Sequence, residues 1–237
     1  MGLAAVLAGC KASGPLSALD PAGPGATPVA HVWWVIFWCS VVIVIGMVWL
    51  ALYATLRAPE RRLQIAPRQL LVWGGLVLPG ALLTALLVYG VRAGHALLPL
   101  PVAQAVFEVD VTAHQWWWEV SYPAAPGGMR HAVNEIHIPA GRPVDIRVRS
   151  ADVIHSFWVP RLGGKIDAVP GRTNTIRLEA DRPGTYLGQC AEFCGLSHAH
   201  MALTLQAHDE PSLQATLDRL SPSPVLPTAV QASGNTP

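Results

Sequence analysis

Two long uncharged stretches of apolar residues constrain the fold of this chain more than any other feature. Residues 31–56 contain the run Val32–Leu56, and residues 69–92 contain the run Gln69–Val91. Neither run has an acidic or basic side chain, and a helix needs about 20 apolar residues to cross the hydrocarbon core of a bilayer. We therefore predict transmembrane helices at 31–56 and 69–92. Pro79 should kink the second helix.

The connector between the two runs, residues 57–68, sets the predicted orientation. Its basic residues are Arg57, Arg61, Arg62 and Arg68. Because loops rich in Lys and Arg stay in the cytoplasm, we predict that both termini lie on the outer, periplasmic side of a bacterial cell membrane. Residues 11–30 would then form an outer segment. Residues 1–10 end in "LAGC", which resembles a lipoprotein signal with Cys10 as the lipidated residue.

The charge of the chain argues against one class of partner. Charged residues make up 13% of the sequence, compared with about 25% in typical soluble domains. The formal net charge is +1, and no basic stripe is present. Nucleic acid is therefore not an expected partner.

Beyond the apolar runs the sequence changes to a period of two. The segments "AVFEVDVTA", "PVDIRVRS", "NTIRLEA" and "MALTLQA" alternate apolar and polar residues, and turns rich in Gly and Pro separate them. Short strands with such turns predict an antiparallel β-sandwich or barrel over residues 104–208. Residues 209–237 are rich in Pro, Ser, Ala and Thr, and we predict a disordered tail there.

One segment of the predicted outer domain, "GQCAEFCGLSHAHM", concentrates side chains that can bind metals. Cys190 and Cys194 could form a disulfide in an oxidising compartment if their Cα atoms came within about 5.5 Å. A zinc site would instead combine both cysteines with His198 and a fourth ligand such as His155. Neither interpretation gives a role to Met201, whose thioether is a soft ligand that suits copper.

A copper site would use all of these side chains. Blue-copper sites combine two histidines, one cysteine and a weak axial methionine. Here His155 follows an early strand, and the other candidate ligands lie together in one late loop. The extra cysteine would allow a second copper ion to share the sulfur ligands of the first. The spacing therefore favours copper over zinc and over a disulfide.

Several motifs together resemble subunit II of the haem–copper cytochrome c oxidases. They are the helical hairpin, "HQWWW", "DVIHSFWVP", "KIDAVPGR" and "GQCAEFCGLSHAHM", and they extend over nearly the whole chain. The resemblance implies a membrane α + β fold in which a two-helix hairpin precedes a cupredoxin-like Greek-key β-barrel. It also implies a dinuclear copper A centre. The implied ligands are Cys190 and Cys194 as bridges, His155 and His198 as terminal ligands, and Met201 and the Glu192 carbonyl as weak axial ligands.

The same resemblance implies an electron-accepting subunit of a respiratory terminal oxidase. Electrons would come from cytochrome c, enter at Trp116 and pass to the haem–copper subunit I, which reduces oxygen to water and translocates protons. The Glu192 carboxylate would face a magnesium ion at the border with subunit I. Asp167 and Glu119 are candidates for docking the cytochrome. The alternative is a membrane-anchored copper- or zinc-binding module that transfers no electrons.

Two features of the sequence bear on this resemblance. Members of the family commonly carry a glutamate near the start of the second helix, where it feeds a proton path in subunit I. No acidic residue occurs between Pro67 and Arg92, and Val72 stands near the expected place. The chain also has no C-x-x-C-H motif, so we expect no attached c-type haem.

Overall fold

The computed structural model describes residues 12–61, 66–95, 97–100 and 106–226. The chain divides into two compact units, which are treated separately: His31–Ala96 forms one, and Met1–Ala30 with Leu97–Pro237 forms the other. Three predictions fall outside the described residues. They concern the lipidation of Cys10, the start of the outer domain at residue 104, and the state of residues 227–237.

Two long helices correspond to the two apolar runs. Helix α1 spans Thr27–Leu56 and helix α2 spans Pro67–His95, and both are long and apolar enough to cross a membrane. The hydroxyl groups of Ser40, Thr55 and Thr84 donate hydrogen bonds to carbonyl oxygens one turn earlier in the same helix. Such bonding suits a lipid environment, where an unpaired polar group finds no water. The two predicted helices are confirmed.

Helix α2 changes its hydrogen-bonding pattern ahead of its proline. It begins with the α-helical turn Pro67–Gln69, continues as a π-helix over Leu70–Val77, and is α-helical again over Leu78–His95. Pro79 has no N–H to offer the carbonyl groups of the preceding turn, and the wider π pattern stands directly before it. The sequence predicted a kink at Pro79 but not this π-helical segment.

The described residues of the other unit contain ten β-strands. They are β1 (Phe107–His114), β2 (Trp117–Tyr122), β3 (Arg130–Val133), β4 (Glu135–Pro139), β5 (Val144–Ser150), β6 (His155–Trp158), β7 (Ile166–Ala168), β8 (Asn174–Leu178), β9 (Gly184–Cys190) and β10 (Ala202–His208). One sheet has the order β3-β2-β1-β5-β8, and the other has the order β4-β10-β9-β6-β7. Alternate apolar residues of both sheets form one buried core, with Val111, Ile146 and Leu205 fully buried. The two-sheet fold class is confirmed.

Two of the strand pairs run parallel. Strand β1 lies parallel to β5, and β10 lies parallel to β4. The sequence predicted an antiparallel sandwich, and for these two pairs the prediction was wrong. Alternation of apolar residues reports which face of a strand is buried, but not the direction of its neighbour.

The predicted disordered tail is wrong for its first part. Glu210–Leu217 forms helix α3, and the Asp209 carboxylate caps it by accepting a hydrogen bond from the backbone N–H of Ser212 at 3.0 Å. Leu213 and Leu217 lie four residues apart on one helical face and are buried in the core of the β-sandwich. The composition of this segment did not reveal the short amphipathic helix. Pro and Ser are frequent in disordered segments, but they are also normal near a helix N-terminus.

The N-terminal segment packs on the β-sandwich before α1 begins. The N–H of Ala22 donates to the carbonyl of Arg161 at 2.7 Å, and the Ala22 carbonyl accepts from Asp181 at 2.9 Å. Gly23 allows this approach, since a Cβ there would lie 2.0 Å from the Glu179 carbonyl oxygen. The sequence predicted an outer segment at 11–30 but not its contact with the strands.

Candidate metal centre

Neighbouring strands bring the candidate ligands together. His155 is the first residue of β6, Cys190 is the last residue of β9, and these two strands pair antiparallel, with Phe157 opposite Cys190. The loop from β9 to β10 carries Cys194 and a short 3-10 turn, His198–His200. Ligands 35 residues apart in sequence therefore meet at one end of the second sheet.

The base of this loop is closed by the backbone. The N–H of Cys190 donates to the carbonyl of Met201 at 2.9 Å, and the N–H of Met201 donates to the carbonyl of His198 at 3.2 Å. Strand β10 then begins at Ala202. The loop is thus anchored by strand hydrogen bonding at both ends, which limits the freedom of the side chains it carries.

The donor atoms form a compact cluster around the two sulfurs. Cys190 Sγ lies 3.8 Å from Cys194 Sγ, 3.9 Å from His155 Nδ1 and 3.2 Å from the backbone oxygen of Glu192. Cys194 Sγ lies 3.6 Å from His198 Nδ1 and 3.8 Å from Met201 Sδ. The candidate donor atoms of His155, Cys190 and Cys194 all lie within 4.8 Å of one another.

Both cysteines of the cluster are free thiols and both are buried. Their sulfur separation of 3.8 Å is far longer than the roughly 2.05 Å of a disulfide bond. The described structure therefore does not contain the disulfide that the sequence left open. Instead, the sulfurs are spaced with room for a metal ion to contact both.

The protein environment treats the two thiols differently. Burial raises the pKa of the Cys190 thiol, but interactions with His155 and with backbone groups outweigh burial, and the pKa falls to about 6. Burial and the neighbouring Cys190 raise the pKa of the Cys194 thiol to about 12. At neutral pH the Cys190 thiol therefore favours the ionised form, whereas the Cys194 thiol favours the protonated form. This is expected because two negative charges placed close together repel each other when no cation lies beside them. A bound metal cation would favour both thiolates.

A carboxylate behind His155 fixes the orientation of the imidazole. Asp152 Oδ1 lies 2.8 Å from His155 Nε2, which leaves Nδ1 to face the sulfur of Cys190. The pair lowers the pKa of Asp152 despite its partial burial, and interactions with Cys190 and Asp152 raise the pKa of His155 despite desolvation. Carboxylates commonly orient metal-binding histidines in this way. Sequence reasoning missed this role of Asp152; its position three residues before His155 was the available signal.

Side chains from the end of β1 hold the cysteine loop from outside. Gln115 Nε2 and Trp116 Nε1 both donate to the backbone carbonyl of Cys194, at 2.8 and 3.2 Å. Gly195 adopts φ 121°, and a Cβ there would lie 3.2 Å from Trp116 Cζ2. Glycine is required by both the conformation and the close approach of the indole ring. Sequence reasoning missed the roles of Gln115 and Gly195.

The three consecutive indoles have different surroundings. Trp118 is fully buried and packs edge-to-face with Phe157, at 5.7 Å between ring centroids. Trp117 stacks on His114 at 4.3 Å, and both Trp117 and Trp116 are partly exposed. Of the three, Trp116 hydrogen-bonds through its indole N–H to the cysteine loop.

The predicted docking and magnesium residues are partly exposed, and each has a basic side chain nearby. Glu119 Oε2 lies 3.2 Å from His114 Nε2. Lys165 Nζ lies 4.0 Å from Asp167 and 3.6 Å from the carboxylate of Glu192. Glu192 therefore presents its backbone oxygen to Cys190 while its carboxylate lies beside Lys165. The structure does not bring Glu119 and Asp167 into contact with the sulfur cluster.

The chemistry of the donor set fits copper better than zinc. Two thiols, two imidazoles, a thioether and a backbone oxygen surround one space, and a thioether is a soft ligand with little affinity for zinc. Six candidate donors also exceed the four of a structural zinc site, but they suffice for two ions that share the sulfurs.

Comparison with known proteins agrees with this site. Residues 124–208 match the family model of the cytochrome c oxidase subunit II periplasmic domain. The chain is 35% identical to cytochrome c oxidase subunit 2 of Alkalihalophilus pseudofirmus, over 96% of this chain and 68% of that protein. It is 30% identical to cytochrome c oxidase subunit 2 of Cereibacter sphaeroides, over 83% of this chain and 78% of that protein.

Among solved structures, the periplasmic domain of subunit II of cytochrome oxidase from Bradyrhizobium japonicum is 30% identical to this chain. The match has a TM-score of 0.47 and covers 51% of this chain and 96% of that one. The sequence relationships to the two subunit 2 proteins extend through the apolar helices as well as the β-sandwich. This chain belongs to the cytochrome c oxidase subunit II family.

Proposed function

We propose that this chain is the electron-accepting subunit of a respiratory cytochrome c oxidase. It takes electrons from cytochrome c at a dinuclear copper A centre and passes them to haem–copper subunit I, where oxygen is reduced to water and protons are translocated. The observation that carries this proposal is the cluster of Cys190, Cys194, His155, His198 and Met201, all gathered around two unbonded sulfurs.

The residues of the cluster divide into three roles. Cys190 and Cys194, whose sulfurs are 3.8 Å apart, would hold both ions as thiolates. His155 and His198 would each supply an imidazole nitrogen, and each already has its Nδ1 directed at one of the sulfurs. Met201 Sδ and the carbonyl oxygen of Glu192 would be weaker ligands, which tune a copper site more than they hold it.

The protein surroundings suit electron transfer because they restrict movement of the ligands. When bound, a copper pair supplies a single electron's worth of charge spread over two ions and two sulfurs. Asp152 fixes the ring of His155, and the closed loop base fixes Cys190 next to Met201. Ligands that keep their positions in both the oxidised and the reduced state keep the reorganisation energy of electron transfer low. The sulfur donors of Cys190, Cys194 and Met201 are buried, which suits electron transfer better than substrate binding at an open metal site.

Trp116 is the residue through which we propose that electrons enter. Its indole is partly exposed on one side, and on the other its N–H bonds to the backbone carbonyl of the ligand Cys194 at 3.2 Å. A donor in contact with the ring therefore reaches a copper ligand through one hydrogen bond and a few covalent bonds. Glu119 and Asp167 remain candidates for guiding the cytochrome, although Asp167 already has Lys165 as a cationic neighbour.

The Glu192 carboxylate is the proposed ligand for magnesium at the border with subunit I. It is exposed, and Lys165 is its neighbour at 3.6 Å. The ammonium group of Lys165 would compete with the ion for this carboxylate. Carboxylate oxygen is a suitable ligand for this ion.

The chain is proposed to cross the bacterial cell membrane twice. The arginines of the 57–68 connector support a cytoplasmic position for that connector, with both termini and the copper domain on the periplasmic side. Lipidation of Cys10 would add an anchor at the N-terminus on the same side.

Optical and electron paramagnetic resonance spectra of the full-length chain, purified in detergent and loaded with copper, test this function. We expect a coloured protein with one unpaired electron shared by two copper nuclei. A colourless chain that binds a single zinc ion would support the alternative, a membrane-anchored metal-binding module without electron transfer. The burial of the two sulfurs opposes that alternative, since a module for metal exchange needs accessible ligands.

A further inference from the structure

The strand that carries His155 is joined to its neighbours by short ladders. The described ladder between β6 and β9 has two residue pairs, Phe157 with Cys190 and Trp158 with Gln189. The ladder between β9 and β10 has six pairs. On its other side β6 pairs with β7, a strand of three residues at the edge of the sheet. The direct connection between the two ligand-bearing strands, β6 and β9, is therefore short.

One residue of the N-terminal segment extends this connection beyond the ladder. Arg161 follows the last residue of β6 by three positions, and Asp181 precedes the first residue of β9 by three. The N–H of Ala22 donates to the carbonyl of Arg161 at 2.7 Å, and the Ala22 carbonyl accepts from the N–H of Asp181 at 2.9 Å. Because β6 and β9 are antiparallel, Ala22 links them at the ends that are remote from the metal cluster.

The side chain of Arg161 strengthens the same link. Arg161 Nε donates to the backbone carbonyl of Asp20 at 2.9 Å, and Arg161 Nη2 lies 3.1 Å from Asp20 Oδ2. Arg161 Cζ also lies 5.7 Å from the centre of the Tyr186 ring, and Tyr186 belongs to β9. The residue that follows β6 thus contacts the N-terminal segment through both its backbone and its side chain, and it contacts β9 through the side chain.

Two glycines allow the N-terminal segment to lie this close to the strands. Gly23 is buried, and a Cβ there would lie 2.0 Å from the carbonyl oxygen of Glu179. A Cβ at Gly25 would lie 2.8 Å from the carbonyl oxygen of Leu162. A backbone oxygen cannot turn aside as the end of a flexible side chain can, so alanine at position 23 would displace the segment from the strands. We name residues 20–25 the clamp segment.

We propose that the clamp segment positions the metal ligands by holding β6 against β9, and that Asp20, Ala22 and Arg161 are positioning residues of the copper centre. This inference rests on the proposed function and adds residues that contribute no donor atom. His155 Nδ1 and Cys190 Sγ, 3.9 Å apart, belong to these two strands, so separation of the strands changes the distance between the donors. A metal site keeps its geometry only when the elements that carry its ligands are themselves held in place.

Hydrogen exchange of the metal-free, full-length chain in detergent tests whether the clamp segment holds β6 against β9. The N–H of Ala191 donates to the carbonyl of Ser156 at 2.9 Å, so its exchange reports on the contact between the end of β9 and β6. In Gly23→Ala we expect this amide to exchange about tenfold faster, because two backbone hydrogen bonds of Ala22 are lost. The amides of β1 and β2, in the other sheet, should keep their rates. Mass spectrometry of the peptides from both sheets measures the two sets.

Gly14→Ala is the matched control. It is the same substitution in the same N-terminal segment, but a Cβ at Gly14 would meet no atom within 4 Å, so the exchange rates should stay unchanged. Asp20→Ala is a second test that inserts no atom into the fold. Removing this partly exposed carboxylate should speed exchange of the Ala191 amide by about threefold, and Asp20→Glu, which keeps the charge, should restore the slower rate.

Copper release shows whether the clamp segment also positions the ligands. Loaded with copper, Gly23→Ala and Asp20→Ala should keep the paired-copper signal. We expect them to lose copper to an excess of chelator about tenfold and about threefold faster than Gly14→Ala, because release requires the donors to separate. Faster hydrogen exchange with unchanged copper release would overturn the proposal, since the segment would then join the strands without positioning the ligands.

Failure of this inference is distinguishable from failure of the proposed function. Equal exchange rates in Gly23→Ala and Gly14→Ala would overturn the clamp, and so would faster exchange in both sheets alike, which indicates a general loss of stability. If the unsubstituted chain shows no electron shared by two copper nuclei, the electron-accepting function is wrong. Faster exchange confined to β6 and β9 would in that case still support the clamp, because it is measured without metal.

Discussion

The two ends of β10 each carry a group of histidines and neighbouring polar side chains, but the groups differ in chemistry. At the first end, Met201 adjoins the strand, and His155 and His198 each face a cysteine sulfur. At the other end, His208 Nε2 lies 3.0 Å from His137 Nδ1, and Glu135 is the nearby acid, 3.8 Å from His137 Nε2. Both groups are largely enclosed by the same β-sandwich.

The difference shows that histidine content alone does not indicate a metal site. Among the described residues, the cluster of His155, Cys190 and Cys194 is the one in which three metal-binding side chains bring their donor atoms within 4.8 Å. The histidines at the far end bond to each other and pack beside α3 instead. Soft sulfur donors on a closed loop make the first group suitable for copper, whereas the second group is suited to sensing protons.

The largest effect on activity should come from removing one of the two cysteine sulfurs at the first end of β10. Cys190→Ser leaves one thiolate for two ions, so we expect loss of the paired-copper spectrum and a fall of more than about 1,000-fold in oxygen consumption, since the hard hydroxyl is a poor copper ligand. Cys39→Ser, at a free cysteine in α1, is the control and should leave both unchanged. A fully active Cys190→Ser oxidase would contradict the proposed centre.

Substitution of the indole beside the loop should have the next largest effect. Trp116→Phe removes the hydrogen bond to the Cys194 carbonyl, and we expect electron uptake from cytochrome c to slow by about tenfold or more, the order expected for losing about 1.4 kcal/mol or more in the activated step. The copper spectrum should be kept. Stopped-flow oxidation of cytochrome c measures this step. Trp117→Phe, which affects the ring stacked on His114, should be near normal; equal rates for both variants would remove the special role of Trp116.

A weaker effect is expected from the thioether. Met201→Leu keeps the buried volume and removes a weak axial ligand, so both copper ions should stay bound while the reduction potential shifts by on the order of 50–100 mV. Redox titration of the copper absorption measures the shift. Complete loss of metal from this variant would mean that Met201 holds the ions rather than tuning them.

The smallest effect concerns the other end of β10 and should be visible only in stability. Burial, opposed by Glu135 and assisted by His208 and Arg219, lowers the pKa of His137, and burial is also the main cause that lowers the pKa of His208. The two histidines therefore bind protons less readily in the folded protein than in the unfolded chain, where they are protonated below about pH 6.5. Stability should be full above that pH and decrease as the pH falls toward the lower folded values.

We expect the melting temperature to drop by about 2–4 °C between pH 7 and pH 5.5, equivalent to about 1 kcal/mol in a chain of this size. Thermal unfolding followed by circular dichroism measures this drop. His208→Gln removes one of the two titrating rings and should flatten the pH dependence without changing the copper spectrum. An unchanged slope in that variant would show that the histidine pair does not control acid stability.

Much of this architecture was predictable because it depends on local patterns. Uncharged runs predicted both helices, and alternation predicted strands whose inward residues, such as Val111 and Ile146, are fully buried. The ligand candidates were identifiable because five of the six lie in one segment of fourteen residues. The preference for copper followed from the presence of soft sulfur ligands, and the residues that supply them can be read from the sequence.

Other features depend on long-range contacts that no local pattern encodes. The parallel pairing of β1 with β5 is a property of chain topology, and the support of the cysteine loop by Gln115 joins residues 79 positions apart. Helix α3 was missed because two buried leucines are too few to stand out in a segment rich in Pro and Ser. The π-helical part of α2 has no recognised sequence signature beyond the nearby proline.

The pairing of β6 with β9 has a consequence for how the chain is made. His155 reaches the sulfurs only across these strands, and Met201 follows Cys194 by seven residues. A nascent chain that stops short of residue 201 of 237 lacks part of the cage, whatever its earlier portions have folded into. Under the proposed function, copper loading therefore follows synthesis of the chain through Met201, and a loaded site shows that β6, β9 and the cysteine loop have already been made.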